Sequence, residues 1–262
     1  MTLERVRQSV RRTLGGTVSY RAAARVANTY FAVRREGLSG LSVLRMAHRR
    51  GPEASLRLRS LRHPFVVRPG SDDVATVVTN VFREEYGQLP ATFHPTRIVD
   101  AGAYIGDTTA YFLTRFPDAT VIALEPGRES YAQAVRNLAP YGERVTLLNR
   151  ALWNSETHLR FSGSETAASV ASSGALVETD TVPGIMRQFN LHTIDLLKID
   201  IEGAEAVVIP AGAGAWLRRI RMLLLEIHGA DIEGALIPLL RVEGFTCWQH
   251  RSVWYCRNTK IE

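Results

Sequence analysis

The segment Arg97-Ile98-Val99-Asp100-Ala101-Gly102-Ala103-Tyr104-Ile105-Gly106-Asp107 is the most informative part of this chain about its fold. It begins as a short apolar run and ends in a turn with two glycines, and a helix-like segment, 108–116, follows. A strand, a glycine turn and a helix in this order hold a nucleotide at the carboxyl end of a parallel sheet. Gly102 allows a sharp turn of the backbone, and Gly106 allows the helix to approach and present its free N–H groups to a ligand.

The spacing of the two glycines discriminates between two nucleotide cofactors. A dinucleotide-binding fold has the pattern G-x-G-x-x-G, whereas this turn has G-x-x-x-G with Asp100 at the strand end. That spacing is typical of enzymes that bind S-adenosylmethionine (SAM), whose amino-acid end needs no room for a pyrophosphate. The next strand, 120–124, ends in Glu125-Pro126, and a carboxylate there can accept hydrogen bonds from both ribose hydroxyls. The alternative is an ordinary strand–turn–helix followed by a surface glutamate, but the ordered pair favours SAM.

The distribution of charge divides the chain. Residues 1–68 contain 15 arginines and three acids, a net charge of +12, whereas the remaining residues carry 17 bases and 23 acids, a net charge of −6. A basic arm on an acidic body indicates an anionic partner: a nucleic acid, a membrane surface or an acidic substrate. The alternative is a solvated helical face that keeps the protein soluble.

Composition and cysteine content indicate a cytoplasmic protein. The 262 residues are enough for a sizeable core. Neither a signal peptide nor a transmembrane stretch is evident. The two cysteines do not suggest a disulfide framework. If residues 244–257 form a hairpin that turns near His250-Arg251, Cys247 faces Trp254 rather than Cys256.

Hydrophobic patterns predict three parts. Residues 1–55 form a basic helical N-terminal extension, interrupted by glycines and with Val26, Tyr30 and Val33 at helical spacing. Residues 56–95 are lead-in strands and a helix that cover the core. Residues 96–262 are the SAM-binding domain. Its alternating strands and helices imply an α/β fold with a Rossmann-like, doubly wound, mostly parallel sheet, closed by an antiparallel pair at 245–249 and 253–257. The small, polar segment Ser162–Gly174, between two short extra strands, is interpreted as a mobile lid, and the alternative is a plain surface loop.

Three segments show that residues 96–230 resemble the FkbM family of SAM-dependent methyltransferases. They are Val99–Asp107, Ala123–Pro126 and, most specifically, Asp195-Leu196-Leu197-Lys198-Ile199-Asp200-Ile201-Glu202-Gly203-Ala204-Glu205. The resemblance implies O-methylation of sugars, polyketides or other secondary metabolites. On the family pattern Gly102, Gly106 and Glu125 bind SAM, and Asp200 lies beside the reactive methyl group. The complete set of predicted SAM-binding residues is Asp100, Gly102, Ala103, Tyr104, Gly106, Glu125 and Ala151. Trp153, just past Ala151, either stacks on the adenine or belongs to the core.

Methyl transfer to an alcohol requires a base, a metal ion or both, because one proton must leave the acceptor. Asp200 and Glu226 end neighbouring strands, where open α/β sheets place their ligands. The two carboxylates can hold Mg²⁺ or another divalent cation, and His228 can join them or take the proton. Asp200, Glu226 and His228 are therefore the predicted catalytic residues. Lys198 is a weaker base candidate because its strand position points it away from the cleft. Glu202 and Glu205 are interpreted as structural acids at a helix N-terminus.

Four functions fit these patterns. The favoured one is a methyltransferase acting on a small-molecule or glycan hydroxyl, and the alternative is a nucleic-acid methyltransferase that uses the Arg-rich arm. The segment after the fourth strand, from Asp200 to Gly203, lacks the Asn/Asp-Pro-Pro-aromatic motif of base-methylating enzymes, and no cysteine lies near it. A dehydrogenase is disfavoured by the glycine spacing, and a SAM-binding protein without catalysis stays open. Self-association and peripheral membrane contact are also left open.

Overall fold

The computed structural model describes residues 18–162, 169–170 and 174–261. The chain divides into two compact units, Met1–Glu84 and Glu85–Glu262. The three-part division of the sequence stays a prediction beside these two units.

The first unit combines helices with one short hairpin. Its elements are α1 (Val18–Glu36), α2 (Ser39–Met46), β1 (Ala54–Leu56), β2 (Phe65–Val67) and α3 (Asp73–Thr76), which continues as a π-helical turn (Val77–Phe82). β1 and β2 are antiparallel, with Leu56 opposite Phe65. Gly37, with φ of +67°, follows α1, in agreement with the prediction that glycines interrupt the helices of this region. Gly40 instead lies inside α2, where a Cβ atom would come within 2.4 Å of the Ala32 carbonyl oxygen. This glycine therefore permits close packing of the two helices rather than breaking one.

The second unit is built on a seven-stranded sheet. The strands of this unit, in the large sheet and in a smaller second sheet, are β3 (Arg97–Ala101), β4 (Thr120–Leu124), β5 (Val145–Leu148), β6 (Ala151–Leu152), β7 (His158–Ser162), β8 (Ser169–Val170), β9 (Ala175–Asp180), β10 (Ile194–Ile199), β11 (Ile220–Glu226), β12 (Phe245–His250) and β13 (Val253–Asn258). Its α-helices are α4 (Asp107–Arg115), α5 (Arg128–Leu138), α6 (Val182–Gln188), α7 (Glu205–Val208), α8 (Ala213–Trp216) and α9 (Ala230–Glu243). Two 3₁₀ segments, Ala139–Arg144 and Leu217–Arg219, precede β5 and β11.

The order of the large sheet is β12-β13-β11-β10-β3-β4-β5. The strands from β11 to β5 are parallel, and β13 is antiparallel to both of its neighbours. Every residue of β10 is buried because this apolar strand lies in the middle of the sheet. Helices α6 to α9 share one hydrophobic core with the sheet, in which Ile185, Val208, Trp216 and Leu240 lie. The predicted Rossmann-like α/β fold is confirmed, and β3, β4, β10 and β11 end at one edge.

A four-stranded sheet with the order β6-β9-β7-β8 forms the insertion after β5. The extra strands predicted around residues 158–161 and 175–179 correspond to β7 and β9. Most of the proposed lid, residues 163–168 and 171–173, lies outside the described residues.

The C-terminal hairpin corrects the expectation for the cysteines. Cys247 of β12 lies opposite Cys256 of β13, and His250 lies opposite Val253. The turn thus occupies Arg251-Ser252, two residues out of register with the predicted pairing. Both cysteines are free thiols. Within the described ranges, no helix is long and apolar enough to cross a bilayer.

Candidate active site

The turn after β3 is enclosed by its neighbours. Gly102 has φ of +81°, and a Cβ atom there would lie 1.9 Å from the Asp200 carbonyl oxygen. Gly106 has φ of +84° and lies against the Leu138 side chain. The N–H groups of Gly102 and Ala103 both donate to the Leu124 carbonyl. Only glycine combines these backbone angles with such close contacts, so the spacing read from the sequence has a steric cause.

Glu125 ties the end of β4 to this turn. Its Oε2 accepts a hydrogen bond from the Tyr104 N–H at 2.8 Å, and its Oε1 accepts one from the Gly127 N–H at 2.7 Å. Burial raises the pKa of Glu125 to about 7, against the lowering effect of these two hydrogen bonds. A carboxylate has about four lone-pair sites. The two that remain could accept hydrogen bonds from the two ribose hydroxyls of SAM.

Asp100 and Lys198 form a buried ion pair beneath the turn. Lys198 Nζ lies 3.2 Å from Asp100 Oδ1 and donates to the Gly102 carbonyl oxygen at 2.6 Å. Thr109 donates to the other oxygen of Asp100 at 2.6 Å. Burial alone would lower the pKa of Lys198, but the charges of Asp100 and Asp200 outweigh it and raise this pKa above its ordinary value. Lys198 therefore stays protonated and binds the turn, and the expectation that it points away from the site is wrong.

A fully buried tyrosine joins the two predicted carboxylates. The Tyr86 hydroxyl lies 3.3 Å from Asp200 Oδ2 and 3.4 Å from Glu226 Oε2. The Lys198 ammonium lies 5.6 Å from the centre of the Tyr86 ring. Burial, and then the charge of Asp200, raise the pKa of Glu226 to about 7. Sequence reasoning missed Tyr86, because no local motif marks it.

His228 is held in place by a buried acid. Its Nδ1 lies 3.1 Å from Oε1 of Glu205, whose side chain is fully buried. Its Nε2 lies 3.8 Å from Asp200 Oδ1 and 3.6 Å from Glu202 Oε2. The hydrogen bond that His228 donates to Glu205 outweighs burial and, with the charges of Asp200, Glu205 and Glu202, raises the pKa of His228 to about 9. Glu205, predicted to be structural only, thus orients a predicted catalytic residue.

One ligand atom each from Asp200, Glu202 and His228 lies within 4.8 Å of the other two. These three could hold a metal ion, with Glu205 on the second nitrogen of His228 in the manner usual for metal-bound imidazoles. The sequence-based pair was Asp200 and Glu226. In the described part of the chain, Glu226 is not in this set and instead shares the Tyr86 hydroxyl with Asp200.

The predicted adenine region lies at the start of the insertion. Ala151 is buried in β6, and the backbone N–H of Trp153 donates a hydrogen bond to the Asp180 carbonyl oxygen. The half-buried Trp153 side chain lines a groove of about 290 Å³ together with residues that include Val182, Pro183 and Trp216.

A parallel sheet with a glycine turn after β3, a buried glutamate after β4 and acids at the ends of β10 and β11 is typical of a Rossmann-like methyltransferase fold. The sequence-family model of the methyltransferase FkbM domain matches residues 100–247, more than half of the chain. The protein belongs to the FkbM methyltransferase family, as the resemblance predicts. Tyr86 lies outside the matched residues.

Sequence relatives have different sizes and functions. The 31-O-demethyl-FK506 methyltransferase FkbM of Streptomyces tacrolimicus is 28% identical over 216 residues, covering 71% of this chain and 76% of the relative. The AMB antimetabolite synthetase AmbE of Pseudomonas aeruginosa is 26% identical over 198 residues, covering 56% of this chain and 9% of the relative. The crystal structure of an FkbM methyltransferase from Methylobacillus flagellatus has 15% identity and a TM-score of 0.47, covering 82% of this chain and 57% of that one. This chain thus spans only a small part of the synthetase and just over half of the solved structure.

Proposed function

We propose that this protein is a SAM-dependent O-methyltransferase that acts on a hydroxyl group of a small molecule or glycan. The single observation that carries the proposal is the position of Asp200. Its carbonyl oxygen lies against Gly102 of the cofactor-type turn, while its side chain contacts Tyr86 and faces His228. The cofactor turn and the acid–histidine cluster therefore meet at one residue.

In this proposal the cofactor lies between the turn after β3 and the end of β4. SAM supplies an electrophilic methyl group when it is bound. The amino-acid end of the cofactor lies close to the backbone of Gly102, Ala103, Tyr104 and Gly106. Glu125 accepts hydrogen bonds from the ribose hydroxyls. Asp100 acts indirectly, because both of its oxygens already contact Thr109 and Lys198. Ala151 borders the adenine.

The remaining task is removal of one proton from the acceptor hydroxyl as its oxygen forms the new C–O bond and the C–S bond breaks. Because the pKa of His228 is raised to about 9, its imidazole is charged at neutral pH and cannot accept this proton. We therefore assign the proton to Asp200, with Glu226 linked to it through Tyr86. His228 assists by placing its positive charge 3.8 Å from Asp200 Oδ1.

A divalent cation such as Mg²⁺ is the other way to activate the hydroxyl. The cation would be held by Asp200, Glu202 and His228. The imidazole of His228 must first lose a proton to become a ligand. Removal of divalent cations by a chelator distinguishes the two arrangements.

The name of the S. tacrolimicus relative, a 31-O-demethyl-FK506 methyltransferase, supports a small-molecule hydroxyl as the acceptor. The Arg-rich N-terminal region supports the second candidate, methylation of a nucleic acid. The proposal is tested by calorimetry of the full chain with SAM and with NAD, followed by transfer of a labelled methyl group to fractionated metabolites and to RNA. We expect SAM binding and a labelled ether in the metabolite fraction. Label confined to RNA, or binding of NAD alone, would overturn the assignment.

A further inference from the structure

Helix α1 presents an apolar stripe that the proposed reaction does not use. The side chains of Val26 and Tyr30 are 69% and 55% exposed, Val33 is 39% exposed, and Leu38, just beyond α1, is 82% exposed. Half of the large hydrophobic side chains that are exposed in the described part of the chain fall between residues 26 and 38. We call these four residues the α1 stripe.

The α1 stripe is not the face by which the helix packs. Val26, Tyr30 and Val33 are spaced by four and three residues, which places them on one side of the helix. Ala32 and Glu36, on the other side, are buried. Ala32 lies against Gly40 of α2. The unit therefore keeps its packing face covered and leaves the stripe outside.

The surface around the stripe carries more positive than negative charge. Between Arg5 and Pro52 the only acid in the sequence is Glu36. Its carboxylate is buried and accepts hydrogen bonds from the backbone N–H groups of Arg59 and Ser60. Exposed arginines of α1, α2 and the segment that follows are Arg25, Arg34, Arg35, Arg45, Arg49 and Arg50. Arg35 pairs with Glu84. The described surface from Ala23 to Pro52 is thus cationic and apolar.

We propose that the α1 stripe and its arginines dock on an anionic lipid bilayer. A lipid surface offers phosphates to the arginines and, immediately beneath them, an apolar layer for Val26, Val33 and Leu38. Tyr30, with an apolar ring and a polar hydroxyl, suits the level of the headgroups. A nucleic acid would satisfy the arginines alone, because phosphate contacts give exposed aliphatic side chains no partner. The two kinds of side chain together favour the membrane.

Vesicle co-sedimentation of the full chain tests this proposal. We compare vesicles of phosphatidylcholine with vesicles that also contain phosphatidylglycerol, at low and at physiological salt. We expect binding to the anionic vesicles only, weakened by salt because screening reduces the attraction of the arginines.

Three variants separate charge from apolar insertion. Val26→Ser with Val33→Ser should lower partitioning about tenfold. Arg25→Gln with Arg34→Gln should lower it about fivefold for each arginine at low salt. The matched control is Val242→Ser, since Val242 is 79% exposed but lies on α9; it should bind as the wild type does. Unchanged thermal unfolding confirms that each variant is folded.

Several results would overturn the docking. They are absence of binding to anionic vesicles at low salt, or equal binding of the Val26→Ser/Val33→Ser variant and the wild type. A single-stranded RNA probe that binds while vesicles do not would make the surface a nucleic-acid site. Sedimentation velocity showing a dimer that the same double variant dissociates, without vesicle binding, would make it a subunit interface. None of these measurements depends on methyl transfer.

Discussion

Replacement of Glu205 by glutamine tests the charge that the proposed mechanism assigns to His228. The fully buried Glu205 carboxylate accepts from Nδ1 of His228 at 3.1 Å, and the His228 side chain is 30% exposed. This hydrogen bond is the largest cause of the rise of the His228 pKa from its ordinary 6.5 to about 9. Glutamine keeps the shape and the hydrogen-bonding oxygen but removes the negative charge.

The magnitude follows from the linkage between proton binding and folding. A histidine whose pKa is raised on folding stabilises the folded state fully below its unfolded pKa, and this stabilisation is lost as the pH rises through the folded pKa. Since one pKa unit corresponds to about 1.4 kcal/mol, the raised pKa of His228 contributes about 2–3 kcal/mol at neutral pH. Asp200 and Glu202 also contribute, so Glu205→Gln should remove about half, or about 1–2 kcal/mol. The loss should be largest near pH 6 and should shrink toward about pH 9.

Urea unfolding of wild type and variant across this pH range measures the difference in free energy of unfolding, and NMR titration of the imidazole measures the pKa itself. Glu202→Gln is the control, because Glu202 is more exposed and lies 3.6 Å from the other nitrogen; it should change the pKa less. A wild-type His228 that titrates near 6.5, or a Glu205→Gln variant with the same titration as the wild type, would contradict the charge assigned to His228. His228 could then act as the base after all.

The other predictions concern the cofactor and the proton. Glu125→Ala should weaken SAM binding about 30-fold to several hundred-fold by removing two ribose hydrogen bonds. Unchanged SAM affinity in calorimetry would contradict the assignment of Glu125 to the ribose. Asp200→Asn should lower turnover about 10²–10⁴-fold with SAM affinity nearly intact; near-normal turnover in Asp200→Asn and in His228→Ala would place the chemistry elsewhere. Activity that is lost in EDTA and restored by Mg²⁺ or Mn²⁺ would support the cation, whereas full activity in EDTA with loss in His228→Ala would support the metal-free arrangement. Tyr86→Phe removes the hydroxyl between Asp200 and Glu226 and should shift the pH profile of turnover; a lower rate with an unshifted profile would indicate a packing role only.

Much of the fold is encoded locally. The apolar run of β10 and the alternation of strands and helices predict a parallel sheet, because parallel strands need crossover helices and are buried on both faces. The turn around Gly102 and Gly106 is also predictable from local sequence, because its steric requirements involve few residues at a fixed spacing. The confirmed sheet and the family follow from these patterns. The assignment of residues to SAM and to the acceptor stays a prediction.

The same patterns did not predict the register of the C-terminal hairpin or which side of helix α1 is packed. The cysteine hairpin was misjudged by two residues, a shift that leaves every side chain on its original face, so alternation cannot detect it. The periodicity of Val26, Tyr30 and Val33 is compatible with the observed helix, but it did not reveal that Ala32 and Glu36 form the packed side.

The sheet, the cofactor-type turn and the acids at the strand ends are therefore encoded in local sequence, because each depends on neighbours along the chain. Folding in three dimensions was needed to bring Tyr86 to Asp200, 114 residues away, to place Lys198 beneath the glycine turn and to place Glu205 against His228. These contacts join separate segments, and the charges and burial that they create set the pKa values of the site. No local pattern contains that information, since an ionisable side chain responds to what surrounds it in space.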